Sequence, residues 1–264
     1  MVSCEIPTKQ WAQVVEQSAA GDEPLCSRAL LSGYTVDGTF QQYATAKAAH
    51  VTRIPKECDL ATVAPILCAG VTVYKALKES AARPAEYVAV VGAGGGLGSL
   101  AIQFAKAMGV HIIAVDTGAE KDKLCKFLGA EAYVDFKTTK GIVADIKAAT
   151  PGSLGPHAAL VIATEEEPFQ LATQYIRPRG VIVCIGLPSE AHLKASVFDV
   201  VVRMISIKGS YVGSRLDADE AMEFFRAGFV KVPINVVPLS KLSEVFASMA
   251  AGTVVGRYVL DTSK

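Results

Sequence analysis

This 264-residue sequence predicts an α/β fold built on a doubly wound parallel sheet, and three observations carry the prediction. Short runs rich in Val and Ile recur through the middle of the chain, amphipathic helical patterns lie between them, and one glycine-rich turn joins a strand pattern directly to a helix pattern. Runs that are apolar throughout, rather than alternating, belong to strands covered by helices on both faces. Strand and helix in alternation imply right-handed β-α-β crossovers.

Taken in order, residues 1–32 are the least patterned, and GDEPLCSR reads as a turn-rich connector. Residues 33–54 read as short strands separated by Asp37-Gly38, a hairpin-type turn signal. Residues 59–80 read as a helix with Leu67, Val71, Tyr74 and Leu77 on one face. From Glu86 the strand runs are EYVAVV, VHIIAVD, EAYVDF, AALVIA and GVIVCIG, with VRMISIKGSYV as a sixth. Between them Leu97, Leu100, Ala101, Phe104, Ala105 and Met108 form one apolar helix face, and Leu124, Phe127 and Leu128 another. Beyond Tyr211 the alternation stops. Asp217 with Glu220 reads as a capping pair opening a helix that ends at Gly228. A second short helix carries Leu242, Val245, Phe246 and Met249 and stops at Gly252, and GRYVLD is a final strand. The expected organisation is an irregular segment at 1–32, part of one subdomain at 33–69, a nucleotide-binding domain at 70–213, and a return to the first subdomain at 214–264.

Composition narrows the partners. Lys+Arg and Asp+Glu stand at 26 each, with neither sign in a long block, which removes the electrostatic ground for nucleic acid or an anionic membrane. No apolar run is expected to reach the ~18 residues that cross a bilayer, and the start, MVSCEIPTKQW, has neither the basic region nor the apolar stretch of a secretory signal. Six scattered cysteines with no CxxC suit a reducing compartment. The expectation is a cytoplasmic protein whose partners are small molecules and other subunits.

The chemistry concentrates in Val91-Gly92-Ala93-Gly94-Gly95-Gly96-Leu97-Gly98, between a strand and a helix. The register is GxxGxxG on Gly92, Gly95 and Gly98, with Gly94 and Gly96 as extra glycines. Glycines permit positive φ and remove side chains that block a pyrophosphate, and the helix N-terminus then offers free N–H groups and roughly half a positive charge. Asp116 ends the next strand, where a carboxylate accepts from the ribose hydroxyls of NAD(H). Against a 2′-phosphate it would set like charge, worth about 1–4 kcal/mol per pair at ~4 Å, so NAD(H) is favoured over NADP(H).

Beyond this generic signal, GYTVDGTFQQYATA, APILCAGVTVYKALK, GGLGSLAIQFAKAMG, GSYVGSR and VGRYVLDTSK closely resemble the zinc-dependent alcohol dehydrogenases of yeasts and moulds, within the medium-chain dehydrogenase/reductase superfamily. The resemblance runs from about Cys26 to the C-terminus. It implies a Rossmann domain plus an incomplete, β-rich GroES-like substrate domain, and an alcohol or carbonyl compound as substrate. It assigns the pyrophosphate to Gly92–Gly98, a ribose contact to Asp116, an adenosine-side role to Lys121, a backbone contact to the nicotinamide to Ile185-Gly186-Leu187, and a pyrophosphate contact to Arg257. It also implies that most of the zinc apparatus is lacking. There is no Gly-His-Glu, only Cys68 matches a catalytic-zinc ligand, only Cys26 matches a structural-zinc cysteine, and none of His50, His111, His157 and His192 matches a ligand position. A catalytic zinc normally takes three protein ligands and one open position. Cys68 alone therefore reads as a buried small apolar residue.

A second departure is Thr164-Glu165-Glu166-Glu167-Pro168, where the family has small and hydroxyl residues. As an acidic helix start it suits the dipole, yet it puts charge at the carboxyl edge of the sheet, where the cofactor should lie. Three functions follow: hydride transfer between an alcohol and NAD, a non-catalytic NAD(H)-binding remnant or subunit, and a zinc-independent quinone or enoyl reductase. Asp116 and Cys68 argue against the third. A substrate domain without its partner strands exposes edges and apolar surface, so a homo-oligomer, or association with full-length relatives, is expected.

Overall fold

The computed structural model describes residues 2–4, 22–26, 29–46 and 51–264. Within the segment expected to be irregular, β1 (Val2–Cys4) and β2 (Ala29–Leu31) pair antiparallel. The apolar runs from Glu86 onward become β3 (Tyr87–Val91), β4 (His111–Asp116), β5 (Ala132–Asp135), β6 (Ala158–Val161), β7 (Val181–Cys184) and β8 (Ser206–Gly209). All six pair in parallel, in the order β5-β4-β3-β6-β7-β8. The chain winds outward from β3 to β5, returns to the middle, and winds outward again from β6 to β8. Winding therefore reverses between β3 and β6, and at such a point the connections diverge and leave a crevice beyond the strand ends. Val91, the last residue of β3, lies beside Val115 on one side and Val161 on the other.

Burial explains why these runs are continuously apolar. Val88, Val90, Ile112 and Ala114 face a core shared with α2 (Val71–Ser80) and α3 (Gly98–Ala107). The alternate residues Ala89, Val91, Ile113 and Val115 face a second core shared with α5 (Ile142–Ala148) and α6 (Glu167–Tyr175). Both faces are covered, as two-fold alternation of side chains across a buried sheet requires. Leu100, Ala101, Phe104 and Ala105 of α3 are fully buried, as the helical spacing predicts.

The helical pattern at 59–80 is realised in three pieces, α1 (Leu60–Val63), a π-helical turn over Ile66–Gly70, and α2. The stretch Leu60–Ser80 is long and apolar enough to cross a bilayer, which corrects the expectation that no run would be. More than half of it is buried inside the protein, however, and most of its apolar residues, such as Val63, Ile66, Val73 and Leu77, belong to the first core. A core helix meets the same compositional test as a membrane span.

Three other expectations are revised. The hairpin at Asp37-Gly38 does not form: a turn at 33–35 brings Ser32 and Val36 into an isolated bridge, and no strand follows in 37–46. Tyr34 and Tyr43 are 85% and 88% exposed, so these residues meet no apolar face that would order a strand there. On α4 (Ala119–Leu128) Phe127 is 84% exposed, and Cys125 is the side chain that enters the core. Finally, α8 spans Arg215–Arg226, and its cap is Ser214 with Asp217 in a reciprocal capping box. Asp217 is thus the third helical residue rather than the cap, and Glu220 lies a further turn in.

After α8 come β9 (Ile234–Pro238), α9 (Leu242–Ala250) and β10 (Arg257–Asp261). β9 and β10 pair in parallel as a separate two-stranded sheet, and this sheet brings the start of β10 over the glycine turn.

Candidate functional site

The turn after β3 is built from its glycines. Gly92 has φ +86°, and its N–H and that of Ala93 both donate to Val115 O, at 2.9 and 3.3 Å. Gly98 opens α3 against the turn itself: a Cβ there would lie 2.2 Å from Gly92 O and 2.5 Å from Ala93 Cα. That close approach sets the helix N-terminus directly above the strand end. The N–H groups of Gly96, Leu97 and Gly98 make no hydrogen bond among the described residues. Three unsatisfied donors at a helix N-terminus constitute an anion site.

Asp116 ends β4 beside this turn and is only 5% exposed. Its Oδ2 accepts from Gly94 N–H at 2.8 Å, and its Oδ1 from Thr117 N–H at 2.8 Å and from Lys121 Nζ at 2.9 Å. The same carboxylate therefore pins the turn to the strand and presents a buried negative group to the crevice. Each carboxylate oxygen has two acceptor positions, so Oδ2 retains one for a ribose hydroxyl. Gly94, an extra glycine in the sequence pattern, has a specific reason to be one. The stem of Lys121 lies across it, and a Cβ would meet Lys121 Cβ at 2.6 Å.

Arg257, the first residue of β10, lies against Gly96: a Cβ at Gly96 would stand 2.9 Å from its Nη1. Burial pulls its pKa below the ordinary arginine value, with nearby Cys68 acting in the opposite sense. Among the described residues no carboxylate pairs with it. A desolvated, uncompensated guanidinium beside free turn amides calls for an anion.

Ile185, Gly186 and Leu187 continue from β7, and Ile185 and Gly186 N–H both donate to Val161 O at 3.0 Å. A Cβ on Gly186 would strike Ala163 O at 2.1 Å, so the ends of β6 and β7 are in direct contact. This segment does not line the cleft over the glycine turn, and the Leu187 side chain is exposed.

That cleft holds about 760 Å³. Gly92, Gly95, Gly96, Leu97, Asp116, Lys121 and Arg257 line it together, while Gly94 and Gly98 support it from behind. Sequence reasoning missed its apolar part, formed by Phe136, Ile142, Ile146 and Leu171 on one side and Phe246, Met249 and Tyr258 on the other. The spacing of Ile142 and Ile146 marks one helix face, but ordinary core residues carry the same signal. Of the three successive glutamates, Glu165 and Glu167 line the cleft. Glu166 is engaged elsewhere: it accepts from His192 N–H at 3.0 Å and from Gln170 Nε2 at 3.4 Å, and the His192 bond leads in holding its carboxyl below the usual value.

Cys68 lies in the π-helical turn and is exposed, which corrects its expected burial. Cys26 is disulfide-bonded, so its sulfur is not a free zinc ligand. Among the described residues no group of three or more His, Cys, Asp or Glu side chains is arranged to hold a metal ion. His50 lies outside the described residues.

The chain is similar to known proteins over most of its length. Residues 96–227 match the family model described as zinc-binding dehydrogenase. The chain is 66% identical over 243 residues to Alcohol dehydrogenase 1 of Neurospora crassa, a match covering 92% of this chain and 69% of that protein. Among solved structures, the alcohol dehydrogenase of the archaeon Aeropyrum pernix superposes with a TM-score of 0.88 at 27% identity, over 98% of this chain and 73% of that one. An NAD-dependent alcohol dehydrogenase superposes with a TM-score of 0.83 at 25% identity, over 93% and 71%.

Proposed function

This chain belongs to the zinc-binding dehydrogenase family, and from that premise we propose that it is an NAD-dependent alcohol dehydrogenase-type oxidoreductase, moving hydride between an alcohol carbon and C4 of a nicotinamide. One observation carries the cofactor assignment. The free turn amides of Gly96 and Leu97, and Arg257, which no carboxylate pairs with among the described residues, face the same cleft as the buried Asp116. The first two suit the pyrophosphate and the last suits the ribose hydroxyls. In this reading Lys121 holds Asp116 on the adenosine side, and the nicotinamide end extends beyond the lining of the cleft toward Ile185-Gly186-Leu187, where the N–H groups of Ile185 and Gly186 are already engaged by Val161 O.

Hydride transfer needs the alcohol to lose a proton as well. In the family a zinc ion supplies the Lewis acid that eases this loss. The described residues do not fit that ion: Cys68 is an exposed thiol, and no group of three or more His, Cys, Asp or Glu side chains is arranged to hold a metal among them. We therefore assign no catalytic residue to this chain and derive no zinc-dependent step in it. The same observation supports a second reading, a non-catalytic NAD(H)-binding subunit. Metal analysis combined with NAD reduction by ethanol and by a longer alcohol separates the two. Zinc with turnover supports the dehydrogenase, and bound NADH with neither supports the second reading.

Asp116→Asn tests the cofactor site itself. The amide keeps the size of the side chain but removes the charge and one acceptor, so NADH affinity should fall severalfold and the margin against NADPH should narrow. Fluorescence titration with both cofactors reads this, and an unchanged NADH affinity would count against the assignment.

We also propose that copies of the chain associate, with one another or with full-length relatives. Among the described residues β8 is an open sheet edge, and α7 (Val197–Arg203) beside it exposes Val197, Phe198, Val201 and Val202. Unpaired edge groups next to an apolar helix face favour association. Val201→Asp should shift sedimentation toward the monomer with little loss of NADH binding; a native chain already monomeric at micromolar concentration would sink this proposal. A cytoplasmic location goes with this reading, although the disulfide at Cys26 departs from the expectation of cysteines kept reduced, and the free thiols of Cys58, Cys68, Cys125 and Cys184 alone do not carry it.

A further inference from the structure

We propose that Glu166 and Gln170 are positioning residues for the nicotinamide half of the cofactor: together they tether the irregular segment 187–195 to α6 and so fix the path of the chain where it leaves β7. This rests on the NAD(H) reading above.

The sheet order places that half. Asp116 ends β4 on one side of β3, and the glycine turn follows β3 itself. A dinucleotide with its adenosine ribose at Asp116 and its pyrophosphate at the turn must carry its second nucleoside over the other half of the sheet, beyond the ends of β6 and β7. The chain leaving β7 starts there from a fixed point, since the N–H groups of Ile185 and Gly186 both donate to Val161 O at 3.0 Å. It is fixed again at Ser196, whose side chain caps α7 by accepting from Asp199 N–H at 3.2 Å.

Between these points the backbone of residues 187–195 makes no hydrogen bond to other backbone among the described residues. The three that it does make go to two side chains one turn apart at the start of α6. Glu166 Oε2 accepts from His192 N–H at 3.0 Å, Gln170 Nε2 donates to His192 O at 2.6 Å, and Gln170 Oε1 accepts from Lys194 N–H at 2.8 Å. These are the groups, on residues i and i+2, that an antiparallel partner strand would engage. Two side chains thus stand in for a strand. Packing adds little to them, because Leu187 is 81% exposed and His192, Leu193 and Lys194 are exposed as well.

Without the tether, the nine residues between Gly186 and Ser196 would have to be ordered when the nicotinamide binds, and cofactor affinity would fall by that entropy. Asp116, the glycine turn and Arg257 lie on other elements and keep their geometry, so the loss is confined to one end of the cofactor. Glu166 also acquires a role of its own among the three successive glutamates, apart from Glu165 and Glu167, which line the cleft.

The test compares NADH with ADP-ribose, which has the same adenosine and pyrophosphate but no nicotinamide, by titration calorimetry of the full chain. In the Glu166→Ala, Gln170→Ala double variant, NADH affinity should fall about fivefold. ADP-ribose affinity should stay within about twofold, because its contacts are remote from the tether. Glu166→Gln, which keeps an acceptor for His192 N–H, should restore most of the NADH affinity that Glu166→Ala loses. Trypsin cleavage after Lys194 should be faster in the double variant than in the native chain, in step with a released segment. Equal losses for NADH and ADP-ribose, an unchanged NADH affinity, or an unchanged cleavage rate would overturn the inference and leave the NAD(H) reading standing. Binding of neither ligand by the native chain would overturn both.

Discussion

Gly98→Ala is expected to abolish measurable NADH binding and to destabilise the chain by about 3 kcal/mol, at the upper end of the usual overpacking range. The reason is contact with backbone on every side. A Cβ at this position would stand 2.2 Å from Gly92 O, 2.5 Å from Ala93 Cα and 2.6 Å from Ala93 C. No side chain can swing away to make room, so α3 must retreat from the turn. That retreat moves the free amides of Gly96, Leu97 and Gly98 off the site where a pyrophosphate would rest, and small displacements of preorganised donors cost affinity steeply. It also pulls Leu100 and Ala101, both fully buried, out of register with the sheet. Thermal melting should show a fall on the order of 6–12 °C for a domain of this size. Gly209→Ala is the control: a Cβ there meets nothing within 4 Å, and the change should stay within about 0.5 kcal/mol. A Gly98→Ala protein that binds NADH like the native chain would refute the phosphate assignment.

The contrast between these two glycines shows which features were legible in the sequence. The six strands were, because burial on both faces forces a local composition that a short window reveals. The turn after β3 and its contact with Asp116 were too, since the glycines and the carboxylate that pins them lie close together along the chain. Features that depend on distant segments were not. Gly94 is required by the stem of Lys121 on another helix, and nothing in the glycine run distinguishes it from Gly95. Arg257 approaches Gly96 from a separate two-stranded sheet; considered without the family resemblance, it is one surface arginine among many. Phe127 leaves the face expected for it, and Cys125 enters the core instead, because the rotation of a helix about its axis is set by what it packs on, and a short amphipathic pattern leaves that rotation open. Asp37-Gly38 fails as a hairpin for the complementary reason: a turn signal describes the turn alone, and strands need a sheet to join.

Asp217→Ala should be the most destabilising charge removal in the chain, by about 3 kcal/mol, because one buried side chain serves both a helix cap and an interelement ion pair. Its side chain is 3% exposed. Oδ2 accepts from Ser214 N–H at 2.8 Å and from Ser214 Oγ at 2.9 Å, closing the capping box of α8. Oδ1 accepts from Lys78 Nζ at 2.8 Å, tying α8 to α2. Lys78 also reaches Glu220 at 2.7 Å, and the Tyr74 hydroxyl donates to the same carboxylate. Truncation leaves the Ser214 N–H and part of the Lys78 charge without their partner in a partly buried setting, whereas Asp217→Asn retains an acceptor for Ser214 and should cost less than half as much. The pH dependence has a definite sign. Burial pushes the Asp217 carboxyl up, but the Lys78 and Ser214 hydrogen bonds outweigh it, and its pKa lies below the ordinary 3.8. A carboxyl with a lowered folded-state pKa contributes its full stability above the unfolded value and loses it as pH falls through the folded one. The gap between native and Asp217→Ala in urea midpoint should thus be constant near neutrality and narrow once the pH drops through 3.8 and below. A gap that instead widens in acid would mean that the carboxylate is held there at a net cost, and that the packing of α8 on α2 is carried by its apolar residues Ala218, Ala221 and Met222 alone.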